Sequence, residues 1–104
     1  MKDFMYVGIR RDLCAAQQVV QSIHAAIEAS WYYHKFGESN HPSVIVLGFK
    51  SEDSLNKFKE FASNKTFDLK EFREPDRNNE LTSVAVYPVN EEQKHLFKKY
   101  KLLK

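Results

Sequence analysis

The chain has one cysteine, Cys14, among its 104 residues. A single thiol excludes an internal disulfide, so the fold must rest on its own core, and an intracellular setting is expected. Glycine and proline are scarce, at three each, and no stretch reads as a repeat, a linker or low complexity. No apolar run approaches the roughly 18–20 residues of a membrane span. Residues Met1 to Tyr6 carry no apolar segment of signal-peptide length. The expectation is a cytoplasmic protein with no membrane partner. Chemistry is also thinly marked: there is no glycine-rich phosphate loop, no cysteine pair for zinc and no nucleophile elbow. His24, His34, His41 and His95 do not fall on one helix face at a metal spacing, so neither metal nor cofactor is expected. The formal net charge of +2 is too small to argue for a nucleic acid, and that case must come from where the charges lie.

What is present is a globular composition. The apolar fraction of 42% and charged fraction of 29% exclude a disordered chain. A chain of this length makes one domain, 1–104, with one modest core. Phenylalanine and tyrosine are plentiful, so that core should be aromatic.

The patterning gives seven elements. Phe4 to Arg10 reads as a strand, and Gly8 within it suggests a close backbone approach. A helix capped by Asp12 runs to about Phe36, where Gly37 stops it. Ala16, Val20, Ile23, Ile27 and Trp31 form its apolar stripe, expected to face the core. Gln17, Gln21, His24 and Glu28 form a polar line. Gln18, Ser22, Ala25 and Ala29 form a small-residue line that suits a homodimer face. Glu38 to Pro42 is a loop. Ser43 to Phe49 is nearly all apolar, the mark of a strand covered on both faces. Ser51 caps a second helix ending at Asn64-Lys65. Thr66 to Phe72 is a more charged strand, expected near an edge. Arg73 to Glu80 is the most polar loop. Leu81 to Tyr87 is a fourth strand, ended by Pro88. Asn90 and Gln93 start a last helix as a capping box. The order β-α-β-α-β-β-α predicts an α/β fold: a small three-layer sandwich with a mixed four-stranded sheet flanked by helices.

Several side chains have both a plain and a functional reading. Cys14 reads as a small buried residue, and Trp31 as core. His24 is either a packed, hydrogen-bonded histidine or a group that orients a site. Glu74 and Asp76 flank Pro75, which restricts the backbone between them. They form either a solvated turn or a fixed pair in which a carboxylate orients a water. Alternation sends the Thr82 and Ser83 hydroxyls to opposite faces of their strand. Arg10, Arg11, Arg77 and the lysines of the last helix are either surface charge or dispersed phosphate contacts.

Taken together, these residues resemble the type II peptidyl-tRNA hydrolase family over nearly the whole chain. The likeness rests on the strand Met5 to Ile9, the element Arg11-Asp12-Leu13, and the helical piece Gln21-Ser22-Ile23-His24-Ala25-Ala26. It continues through Glu74-Pro75-Asp76, the strand Leu81 to Val86, Pro88 and the ending Lys101-Leu102-Leu103. In place of the family's Gly-Lys-Gly-Lys turn stands Cys14 to Gln18, with Gln18 where the catalytic lysine falls. The resemblance implies hydrolysis of the ester between peptide and tRNA, with tRNA as partner. Glu74 or Asp76 would orient the water, and Gln18 and Thr82 would hydrogen-bond the ester. His24 and Gln21 would support them, and Arg10, Arg11 and Arg77 would hold phosphates. The other reading is a catalytically inactive RNA- or protein-binding module on the same fold.

Overall fold

Alternation along the first strand sorts the core into two halves. The computed structural model describes the backbone of residues 4–35 and 43–103, with side chains for 4–31 and 43–103. Strand β1 (Phe4–Arg10) is buried throughout. Phe4 and Tyr6 join a cluster with Phe58, Leu55 and Ala62 of helix α2 (Glu52–Asn64). Met5 and Val7 join a second cluster with Ala25 and Ala29 of helix α1 (Ala15–Lys35). The two helices therefore cover opposite faces of one sheet, which gives three layers. The sheet is completed by β2 (Ser43–Phe49), β3 (Leu69–Glu74) and β4 (Glu80–Val89), in the order β2-β1-β4-β3. β1 runs parallel to β2 and antiparallel to β4, which runs antiparallel to β3. The carboxyl ends of β1, β2 and β3 thus meet the start of β4 at one end of the sheet. The mixed α/β sandwich expected from the sequence is what the chain forms.

Several elements differ from expectation in instructive ways. The expected core stripe of α1 faces outward: Ile23, Ile27 and Trp31 are 51%, 60% and 66% exposed. Gln21, Ala25 and Ala29 are buried instead. Small side chains let the helix axis sit close on β1 and β4, so the line that suited a homodimer face is used against the protein's own sheet. Cys14 is exposed rather than buried. Asp12 does not cap α1. The helix starts three residues later, its first turn closed by Gln18 N–H donating to the Cys14 carbonyl at 2.9 Å. The Asp12 carboxylate turns back to Arg10. Gly8 approaches side chains, not backbone: a Cβ there would lie 3.0 Å from Leu55 Cδ1 and Phe49 Cε2. The expected stop at Gly37 and the loop Glu38 to Pro42 lie outside the described residues.

β2 is an edge strand, and its faces are not both covered: Leu47 and Phe49 are buried while Val44 is exposed. Its free edge is met by the chain's last described residues. Leu102 bridges Leu47 in antiparallel sense, Gly48 N–H donates to the Lys101 carbonyl, and Leu103 N–H donates to the Val46 carbonyl. Pro88 lies inside β4 rather than ending it. Phe4 pairs with Val89 while Tyr6 pairs with Val86, so β4 carries an extra residue there, and a bulge tolerates proline. The last helix is a 3-10 turn, Gln93–Phe97. The Asn90–Gln93 box does form, with Gln93 N–H donating to Asn90 Oδ1 and Asn90 N–H to Gln93 Oε1. The turn docks through Phe97, stacked on Tyr6 at 4.1 Å, beside Phe58 and Phe61.

Candidate functional site

A second bulge builds the polar centre. Phe72 pairs with Ser83 and Arg73 with Leu81, which leaves Thr82 without a partner on β3. Leu81 then packs with the α2-side core, and Thr82 is turned to the α1 side together with Ser83. The expectation that the two hydroxyls face apart fails for this reason: a bulge breaks alternation. Both are fully buried, and both meet Gln21. Thr82 Oγ1 donates to Gln21 Oε1 at 3.1 Å, and Ser83 Oγ to the Gln21 carbonyl at 2.7 Å. Thr82 Oγ1 also lies 3.1 Å from the Phe72 carbonyl.

Gln21 passes this network outward. Its amide nitrogen donates to Glu74 Oε2 at 3.0 Å. The other Glu74 oxygen accepts from the Asp76 N–H at 3.2 Å, closing the 3-10 turn Pro75–Arg77. Asn78 and Asn79 follow with φ of 56° and 62°, a left-handed conformation that asparagine accepts better than most residues. Asp76 is exposed beyond Glu74. His24 is not buried. It is exposed and stacks on Phe72, centroids 4.6 Å apart and planes 8° from parallel. Gln18 sits one turn before Gln21 and donates from Nε2 to the carbonyls of Leu13 at 2.8 Å and Arg11 at 3.3 Å. It ties the β1–α1 turn together.

The arginines divide by role. Arg10 is buried, with Nε and Nη2 donating to Asp12, and Nη1 to Glu80 at 2.7 Å and to the Leu81 carbonyl at 3.2 Å. Its guanidinium is occupied by two carboxylates, so it braces the ends of β1 and β4. Hydrogen bonds from Arg10, and then its charge, hold the Asp12 and Glu80 carboxyls below the usual carboxylate range against the opposing effect of burial. Arg77 lies 3.5 Å from Glu80. Arg11 is exposed and lines a cleft beyond the ends of β1 and β2. The sequence signals therefore bring Gln21, Thr82, Glu74 and Asp76 to one place. Gln18, His24 and the arginines are distributed around it. Ser83 also belongs to the centre, which no local pattern marks because the bulge breaks the alternation there. Among the described residues no group of acids, histidines and cysteine has the arrangement to hold a metal ion, and no helix is long and apolar enough to cross a membrane.

The architecture and the polar centre at the end of the parallel strands define the class: a small three-layer α/β protein with a mixed four-stranded sheet. No family profile matches the chain, and no curated protein matches it in sequence. In fold it is similar to a solved protein of unknown function from Agrobacterium tumefaciens, at a TM-score of 0.76 and 12% identity, covering 100% of this chain and 99% of that one. The likeness is one of fold along the whole length.

Proposed function

We propose that the chain is a tRNA-binding module on a peptidyl-tRNA hydrolase-like fold, one that holds the RNA without turning over its ester. The observation that carries this reading is the engagement of Gln18. Ester hydrolysis needs a donor aimed at the oxygen where negative charge develops. The Gln18 amide spends its donors on the Leu13 and Arg11 carbonyls, and glutamine carries no charge. Glu74 is held in place, with one oxygen on Gln21 and the other on the Asp76 amide, but a carboxylate has about four acceptor sites, so the neutral, engaged Gln18 alone carries the argument. Binding to RNA makes no such demand; it needs cations near the surface, and Arg11 supplies one at this end of the sheet.

One observation favours hydrolysis as a second reading. Bulges often re-aim side chains beside active sites, and the one at Thr82 turns a hydroxyl toward α1. In that reading the exposed Asp76 orients the water. The deciding experiment follows the purified protein with N-blocked aminoacyl-tRNA, measuring binding and ester loss together. The expected result is salt-sensitive binding with ester loss no faster than without protein. Turnover that disappears in Asp76→Asn would overturn the binding-module reading in favour of the enzyme.

A further inference from the structure

The cleft beyond the ends of β1 and β2 lies outside the Gln21 centre. It has a volume of about 730 Å³, and its lining includes Arg11, Asp12, Lys50, Ser54, Lys99 and Lys101. Four of these side chains are cations and one is an acid. The acid is already committed, since both Asp12 oxygens accept from Arg10, at 3.0 and 2.7 Å. The neighbouring acids at the start of α2 are turned to other partners. Glu52 accepts from the Leu81 N–H at 2.8 Å, and Asp53 pairs with Lys57 at 3.5 Å. Among the described residues none of the four cations forms an ion pair. Positive charge is thus gathered in a concave place while the acids that would neutralise it are held by others.

Three of the cations are positioned by the fold. Arg11 N–H donates to the Phe49 carbonyl, and the aliphatic stem of Arg11 lies across Gly48 so closely that a Cβ there would collide with Arg11 Cδ. Lys101 is clipped to β2 through the Gly48 N–H bond to its carbonyl at 3.0 Å. Lys99 Nζ rests 4.1 Å above the Phe61 ring. Lys50 follows Phe49 at the end of β2. Lysines offer point charges and arginine a planar fork, a combination suited to phosphate oxygens.

We infer that this cleft is a phosphate-binding site, held by Arg11, Lys50, Lys99 and Lys101. Its phosphate comes from an RNA backbone or from a small phosphorylated molecule; the RNA source rests on the function proposed above, and the cleft itself does not. Two measurements separate these. Inorganic phosphate is titrated into the isotope-labelled protein while amide signals are followed. Fluorescent tRNA is titrated over a range of salt with the native protein, the double variant Lys50→Glu/Lys101→Glu, and Lys65→Glu as a surface control at the end of α2. Phosphate is expected to move the amides of Gly48, Lys50 and Ser54. The double variant should weaken tRNA binding at least tenfold and flatten the log–log salt slope by about 1.5–2, with Lys65→Glu near native. Loss of tRNA binding confined to the cleft variant supports the site with RNA as the source. Cleft signals that move without any tRNA binding keep the site, assign it a small phosphorylated ligand, and overturn the RNA reading. Native-like tRNA binding by the double variant, with cleft amides unmoved by phosphate, overturns the site and leaves the RNA reading standing.

Discussion

The Thr82 hydroxyl donates to the side-chain oxygen of Gln21 at 3.1 Å, inside the protein, where neither residue has water to turn to. Thr82→Val keeps the shape and removes the donor. It leaves the Gln21 oxygen buried and unpaired, a change that costs about 1–3 kcal/mol. Ser83→Ala removes a donor to a helix carbonyl and should cost less, about 0.5–1.5 kcal/mol. Urea unfolding midpoints of the two variants would show that order.

The orientation of α1 makes a sharper prediction, because the two sides of the helix should respond in opposite ways to intuition. Ile23→Ser and Ile27→Ser replace large apolar residues that are more than half exposed. They should stay within about 0.5 kcal/mol of native. Ala25→Leu and Ala29→Leu insert bulk where the helix rests on the sheet, at positions fully buried. Each should cost about 1–3 kcal/mol. Denaturant titration of the four variants checks this; a large loss from the isoleucines would mean that α1 faces the other way.

Arg10 ties stability to pH. Its hydrogen bonds lower the Asp12 and Glu80 carboxyls relative to the unfolded chain. A carboxyl lowered on folding adds stability that is complete above its unfolded value, near 4 for these residue types. That stability is lost as pH falls through the lower folded value. Native protein should therefore lose stability on acidification below about pH 4, while Arg10→Met, already weaker at neutral pH, should show a flatter acid limb. Chemical denaturation at pH steps from neutral to acid measures both slopes.

The glycines Gly8 and Gly48 should separate stability from binding. A methyl at Gly8 meets Leu55 and Phe49 at 3.0 Å and Phe58 at 3.2 Å, all in the core. Gly8→Ala should cost about 1–3 kcal/mol and leave tRNA affinity unchanged at temperatures where the variant is folded. A methyl at Gly48 meets the flexible stem of Arg11. Gly48→Ala should displace that side chain and weaken tRNA binding with a smaller effect on the unfolding midpoint.

How far the sequence could be read depends on the kind of signal. The strands β1, β2 and β4 and both long helices announce themselves through apolar runs and periodic patterns, because each must bury surface. Which side of α1 is buried does not follow from the largest side chains. The sheet beneath it offers Met5, Val7 and Ala85, and closeness of approach there decides in favour of alanine. The Gln21–Thr82–Ser83 centre was half legible. The residue types were recognisable, but the bulge that brings both hydroxyls to one helix is a matter of strand register, which no local pattern encodes. The bond between Gln21 and Glu74 joins residues far apart in the chain for the same reason. β2 reads as fully covered because its apolar run is real. In the fold one face is left partly open at Val44, and the free edge is met by the Lys101–Leu103 segment rather than by another full strand.

The strand order also governs when the protein can exist at all. The two central strands, β1 and β4, are among the first and last parts of the described chain, with both helices and both edge strands between them. On the ribosome β1 and β2 can pair early, but their sheet stays open on the side where β4 belongs until Glu80 to Val89 has cleared the exit tunnel. Until then the edge of β1 that pairs with β4 keeps its backbone groups without a ladder partner, and long-range closure of this kind is slow and exposed to aggregation. The newborn chain therefore has an interval, set by its topology, in which its sheet is open, and that interval closes when β4 emerges.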